Sequence, residues 1–287
     1  MGRIKRGWGL TKKSWALLNE HRELIRFPLY GAVATIVPAI VFLGPGLYLF
    51  DQDELAGAIP LVVVGVYALS VIGFYFSVAL AACADMIFRG QQATVADGLA
   101  VARSRFAQIC GWAALSTAIS VVMGALENQG GLGGQIAARL VGMAWSLVTF
   151  LAVPVIAIEG TGPFETIKRS ASMFRSRWGQ QITGNIAIGG AVFLFGVLPA
   201  VLLIVAGVAL WSSASFLGAL LVVIGALVLA IALLVSKALT GIFGVALYRY
   251  ALDGQAVGGF TAADLESAVK SKGRRGATPP GATPGTI

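Results

Sequence analysis

The sequence predicts an all-α fold: a polytopic membrane helix bundle of six transmembrane helices, built as three repeats of an amphipathic cytoplasmic helix plus a transmembrane hairpin. Three observations predict it. Hydrophobic residues fill 57% of the 287 positions and charged residues only 12%, with a mean hydropathy of +0.84. A water-covered domain carries about 25% charged residues, so most of this exterior faces something other than water. The apolar residues gather in six runs, each close to the ~20 residues that cross the hydrocarbon. A basic phrase recurs between those runs.

The elements follow in order. Before the first run, Ile4, Trp8, Trp15 and Leu18 make an apolar stripe among Arg3, Lys5, Arg6, Lys12, Lys13, Arg22 and Arg26. Run one covers 28–50. It is too long, starts too late and lacks the small-residue cleavage site of a signal peptide. Run two covers 58–84, and the loop after it holds Arg89, Arg103 and Arg105, with Val95, Leu99, Ala102 and Phe106 as its stripe. Run three covers 106–126; "ENQGGLGG" after it lacks the lysine of a phosphate loop and reads as a flexible turn. Run four covers 140–158.

The next loop starts a helix at Pro163, a residue suited to the first turn. Phe164, Ile167, Ala171, Phe174 and Trp178 recur at spacings of three and four, on one face. Lys168, Ser172 and Arg175 lie toward the other face, and Glu165 is placed to pair with Arg169 at i,i+4. Run five covers 182–211 and contains Asn185; run six covers 216–236. Lys237 marks the inner interface, and 238–252, with Arg249, extends the last span below the membrane. The chain thus divides into a membrane domain with its N-terminal amphipathic helix (1–252), a short cytoplasmic helical segment capped by Thr261 (253–272) and a disordered tail (273–287).

Loop charges orient the bundle. The N-terminal segment, the second and fourth loops and the tail carry the basic residues, whereas "DQDELAG", "ENQGGLGG" and "SSAS" carry none. By the positive-inside rule both termini are cytoplasmic and the protein belongs in the plasma (inner) membrane. Arg139 alone departs from the pattern, and its long side chain can snorkel to the outer interface.

Shifting the chain so that Arg103 falls on Arg175 lays Arg103-Ser104-Arg105-Phe106-Ala107-Gln108 on Arg175-Ser176-Arg177-Trp178-Gly179-Gln180. Thr94 then meets Thr166, and Val95 meets Ile167. A looser match sets Lys12-Lys13-Ser14 on Lys168-Arg169-Ser170. Each phrase precedes a hairpin of two spans, which is the sign of an internal repeat. Two readings of the phrase stay open. Basic helices with Trp and Phe on the apolar face lie in the headgroup plane with cations toward anionic lipid; alternatively they pack on one another as a cytoplasmic collar.

No catalytic constellation is visible. His21 is the single histidine, in the charged stretch "NEHRE", so neither a Ser/His/Asp triad nor a multi-histidine metal site is expected. Cys83 and Cys110 read as small hydrophobes in helices. The net charge of +8 is spread over the gaps between runs rather than pooled with aromatics, which argues against nucleic acid. Asp85 and Glu159 are paired carboxylates at the inner ends of runs two and four; they read as helix caps or partners of nearby arginines before they read as acid/base groups. With Asn185 they are the candidates for an intramembrane polar site. Pro38, Pro154 and Pro199 read as kinks in an ordinary bundle.

The run "VPVIAIEGTGPFETIKRSASMFRSRWGQQITGN" resembles uncharacterised prokaryotic six-span membrane proteins of the domain-of-unknown-function kind. The residues that carry the resemblance are Pro154, Glu159, Gly162-Pro163, Lys168-Arg169-Ser170 and Trp178-Gly179. More distantly it is similar to the membrane domain fused to some glycerophosphodiester phosphodiesterases. The resemblance implies an integral membrane protein and carries over no catalytic residue.

The expected function is non-enzymatic, with no cofactor: a membrane scaffold or regulatory component. Its lipid- or partner-contacting residues are Arg103, Arg105, Lys168, Arg169, Arg175, Arg177 and Trp178. The expected partners are anionic inner-leaflet headgroups, with protein partners or a second copy as further candidates. The alternative is a transporter or channel for a small or lipid-like solute, with a cavity near Pro154, Asn185 and Pro199.

Overall fold

The structure is a computed structural model that describes residues 13–129, 131–178, 196–211, 214–262 and 265. Among the described residues every regular element is helical. In chain order they are α1 (13–20), α2 (Arg22–Asp51), α3 (Leu55–Phe88), α4 (Val95–Ser104), α5 (Phe106–Gln129), α6 (Gly131–Phe150), α7 (Ala152–Glu159), α8 (Pro163–Trp178), α9 (Leu198–Ala209) and α10 (Ser215–Asp253). Among the described residues four helices are long and apolar enough to cross a membrane: α2, α3, α5 over Phe106–Ala125, and α10. They mark a membrane protein. The start of run five, with Asn185, lies outside the described residues, as does most of 253–287 beyond Ala262.

Prolines and glycines shape these helices differently from the even runs in the sequence. Pro38 stays helical, and the turn after it widens into a π segment, Ala39–Leu43. Run four is not one helix. Pro154 cannot donate to Phe150, so the chain breaks at Leu151 and restarts as α7. The Phe150 carbonyl faces Gly244 of α10, where no Cβ intervenes. The expected glycine-rich turn is also shorter than "ENQGGLGG" suggests. Gly131 is left-handed (φ 52°), Gly133 and Gly134 are already helical, and Gly130 lies outside the described residues.

The core sits at one end of the bundle. Leu24 and Phe27 of α2, residues 78–85 of α3, Ile109 and Trp112 of α5, Ile156 of α7 and residues 242–248 of α10 are all buried. These are the helix ends that border the basic loops. Trp112 stacks on Trp145 (centroids 5.7 Å apart, 13° between planes) and meets Phe74 edge-on. Phe243 joins Phe150 and Phe260 in a second cluster. At the other end, Val37, Ile40, Leu47, Tyr48, Val64, Leu202, Val205, Phe216 and Ile231 all stand exposed. Soluble monomers rarely leave more than a few hundred Å² of contiguous apolar surface to water; lipid tails are the solvent such faces suit.

Glycines close the last hairpin. A Cβ on Gly207 of α9 would lie 2.7 Å from the Gly218 carbonyl oxygen of α10, and one on Gly218 would meet Gly207 equally. One heptad away, a Cβ on Gly225 would lie 3.0 Å from the Ala200 carbonyl. Side-chain-free contact of this kind is how helices associate where the hydrophobic effect gives no drive. The three returning helices then leave the bundle alike. Behind α3, α7 and α10 the chain turns at Gly90, Gly160 and Gly254, each left-handed (φ 75°, 69° and 73°).

Candidate functional site

The buried end of the bundle holds two carboxylates, and α10 secures both. Asp85 lies near the end of α3, Glu159 at the end of α7, and Tyr248 and Arg249 are neighbours on α10. Successive helical residues point about 100° apart, so this pair serves two flanking helices at once. The Arg249 Nε donates to Asp85 Oδ1 at 2.6 Å, and Nη2 lies 2.5 Å from the same oxygen but out of hydrogen-bond alignment. The other oxygen, Oδ2, is 2.9 Å from Arg89 Nη2, one helical turn on. The Asp85 and Arg249 side chains are only 8% and 16% exposed, whereas Arg89 is 49% exposed. A charge at that depth is tolerated because it is paired and hydrogen-bonded.

Glu159 has the same two-sided arrangement with a weaker inner partner. The Tyr248 hydroxyl donates to Oε1 at 2.8 Å, and the Arg169 Nε reaches both oxygens at 2.9 Å. Arg169 therefore pairs with Glu159 and not with Glu165, the partner that i,i+4 spacing suggested. The left-handed turn at Gly160 folds α8 back toward α7 and brings the two together. Glu159 is also the better shielded of the two acids, so the pair forms in the lower local dielectric.

Arg105, at the corner between α4 and α5, lays its guanidinium against Gly160. A cation at the C-terminus of α7 complements the negative end of the helix dipole. Its Nε is buried without a hydrogen-bond partner, as is the Gln108 Oε1 one turn later.

The two described basic phrases part company here. Helix α4 opens with a capping box: Thr94 N donates to Asp97 Oδ2 at 2.8 Å, and Asp97 N donates to Thr94 Oγ1 at 3.3 Å. Its stripe packs inward on the bundle core, with Val95 and Leu99 on the core and Gly98 pressed to the Ala79 carbonyl. Helix α8 behaves otherwise. Its inward face is Thr166, Ser170 and Met173, all buried, while Phe164 is 73% exposed beside exposed Lys168 and Arg175. Of the expected stripe, Phe164 is outside and Ile167 and Ala171 are half-buried, while the side chain of Phe174 lies outside the described residues. Arg103 is exposed and Phe106 largely so at the matching corner of α4 and α5. The side chains of Arg177 and Trp178, and Asn185 altogether, lie outside the described residues.

Asp85 and Glu159 were visible in the sequence as candidates; their partners on α10 were not. A lone arginine in "GVALYRYALD" was the available signal, since an ion in an apolar helix needs a counter-ion. Among the described residues no cluster of three or more His, Cys, Asp or Glu is placed to hold a metal ion.

Residues 23–259 match a family of unknown function, DUF6159. The chain belongs to the DUF6159 family. The match runs from the start of α2 to the glycine turn behind α10, so it takes in both clasped carboxylates, Tyr248 and Arg249. It lends no support to the likeness with phosphodiesterase membrane domains. No curated protein matches this DUF6159 chain.

Proposed function

We propose that this DUF6159 protein is a non-enzymatic, multi-pass scaffold or regulatory component of the inner membrane, and that its basic elbows bind anionic headgroups. The observation that carries this reading is the facing of α8. A water-facing helix turns its apolar residues inward and its hydroxyls outward; α8 buries Thr166 and Ser170 and leaves Phe164 outside next to Lys168 and Arg175. That is the arrangement of a helix at a headgroup boundary.

The same proposal includes six spans, three repeats and cytoplasmic termini. Supporting it, Ser14, Gly98 and Ser170 stand at one position of the aligned phrases, and all three are buried. The left-handed glycines behind α3, α7 and α10 close each hairpin in the same way. The test is retention of phosphatidylglycerol over phosphatidylcholine, read by native mass spectrometry of the purified protein. The combined Phe164→Ala, Lys168→Gln and Arg175→Gln variant should lose that preference; an unchanged preference refutes the elbow. The second reading, a transporter or channel, draws on the π turn behind Pro38 and the break at Leu151. Solute flux in proteoliposomes decides it.

A further inference from the structure

Each clasped carboxylate has one partner inside the bundle and one at its surface, and the two pairs differ in what remains when the surface partner leaves. Asp85 keeps Arg249, a largely buried full charge at hydrogen-bond distance. Glu159 keeps only the Tyr248 hydroxyl, a neutral donor. The surface partner of Glu159 is Arg169, 42% exposed, on the same helix as Lys168 and Arg175. Those two cations have no counter-ion among the described residues.

We infer that Arg169 is shared between Glu159 and anionic headgroups, so that lipid charge opens the α7–α8 half of a two-part latch while the α3–α10 half stays shut. The inference rests on the elbow reading of α8 and adds its regulation. A phosphate gathered by Lys168 and Arg175 sits within reach of the next cation on the helix. A guanidinium binds phosphate as readily as carboxylate, in the same two-pronged geometry. Once Arg169 turns outward, Glu159 is held to α10 by a single neutral hydrogen bond, and α8 loses its charged tie to α7. No such exchange frees Asp85, because losing Arg89 to a headgroup leaves the buried ion pair with Arg249 whole.

The test uses full-length protein in nanodiscs of phosphatidylcholine with or without phosphatidylglycerol. Spin labels are placed through Ser172→Cys on α8 and Leu252→Cys on α10, both exposed, after Cys83→Ala and Cys110→Ala. Pulsed electron resonance then reads the distance between them. The latch requires phosphatidylglycerol to lengthen that distance, and Arg169→Gln to give the long distance in both lipids. Should Arg169→Gln fail to fold, the lipid comparison on the labelled protein with Arg169 intact decides alone. An unchanged distance, with phosphatidylglycerol still retained through Lys168 and Arg175, overturns the latch and leaves the elbow standing. If retention does not depend on Lys168 and Arg175 either, the elbow falls and the latch falls with it.

Discussion

Gly160 and Gly90 share a backbone conformation but not a neighbourhood. Both sit in the left-handed region, where a side chain costs about 1–3 kcal/mol. A Cβ at Gly90 would meet open space, whereas one at Gly160 would run into the Arg105 guanidinium. Gly160→Ala should therefore lower the thermal unfolding temperature in detergent by clearly more than Gly90→Ala; equal effects would show that Arg105 gives way freely. The carboxylates divide in a similar manner. Asp85→Asn strands Arg249 in a largely buried site and should cost roughly 3 kcal/mol. Glu159→Gln touches the more exposed pair and keeps an acceptor for Tyr248, so about 1 kcal/mol is expected. Denaturant titration of the two variants measures the difference. The capping box of α4 makes a pH prediction. The Thr94 hydroxyl and backbone amide hold Asp97 below the usual aspartate range. A depressed acid stabilises the fold above its ordinary pKa and stops doing so as pH falls through the lowered one. The stability gap between the native protein and Asp97→Asn should thus be full at neutral pH and close in acid.

At the scale of elements, hydropathy located the four long apolar helices among the described residues and missed how helices end. Run four reads as one span, but the break at Leu151 depends on what Pro154 does to the carbonyl of Phe150, and hydropathy is blind to that. The glycines after Gln129 read as a loop because each is a poor helix former; Gly133 and Gly134 are nonetheless helical. The facing of α8 was half legible. Its stripe is plain at helical spacing, but the rule that apolar means inward holds for a helix in water. In α8 Phe164 stays outside, and small hydroxyl residues such as Thr166 and Ser170 take the packed side. Close approach also shows in the α9–α10 hairpin. Gly218→Val would push a branched side chain into the backbone of α9, an overpacking expected to cost about 2 kcal/mol or more. Gly124→Ala, at a site with nothing within 4 Å, should leave stability nearly unchanged. Unfolding in a denaturing detergent compares them, and equal losses would refute the glycine contact.

For the molecule as a whole, charge alone gives an expectation for the side on which each loop falls, while the partners across the bundle were not legible in the sequence. Arg249 lies 164 residues from Asp85 and Tyr248 lies 89 from Glu159, and no periodicity links such positions. Loop sidedness can be checked directly. In intact cells a membrane-impermeant thiol reagent should label Gln52→Cys, in the loop between α2 and α3, and spare Gln91→Cys, in the loop behind α3, until the membrane is opened. Reversed labelling would invert the bundle; labelling of both from outside would dismantle the hairpin. The unbroken α10 bears on how the chain is made. Translation delivers helices in order, so α3 and α7 are complete well before Tyr248 and Arg249 have left the ribosome. Until then Asp85 and Glu159 have only their surface arginines, and the ends of α3 and α7 have nothing to close around. Assembly must wait for the last helix, and a nascent chain stopped at Lys237 should still be open to proteases that the finished protein resists.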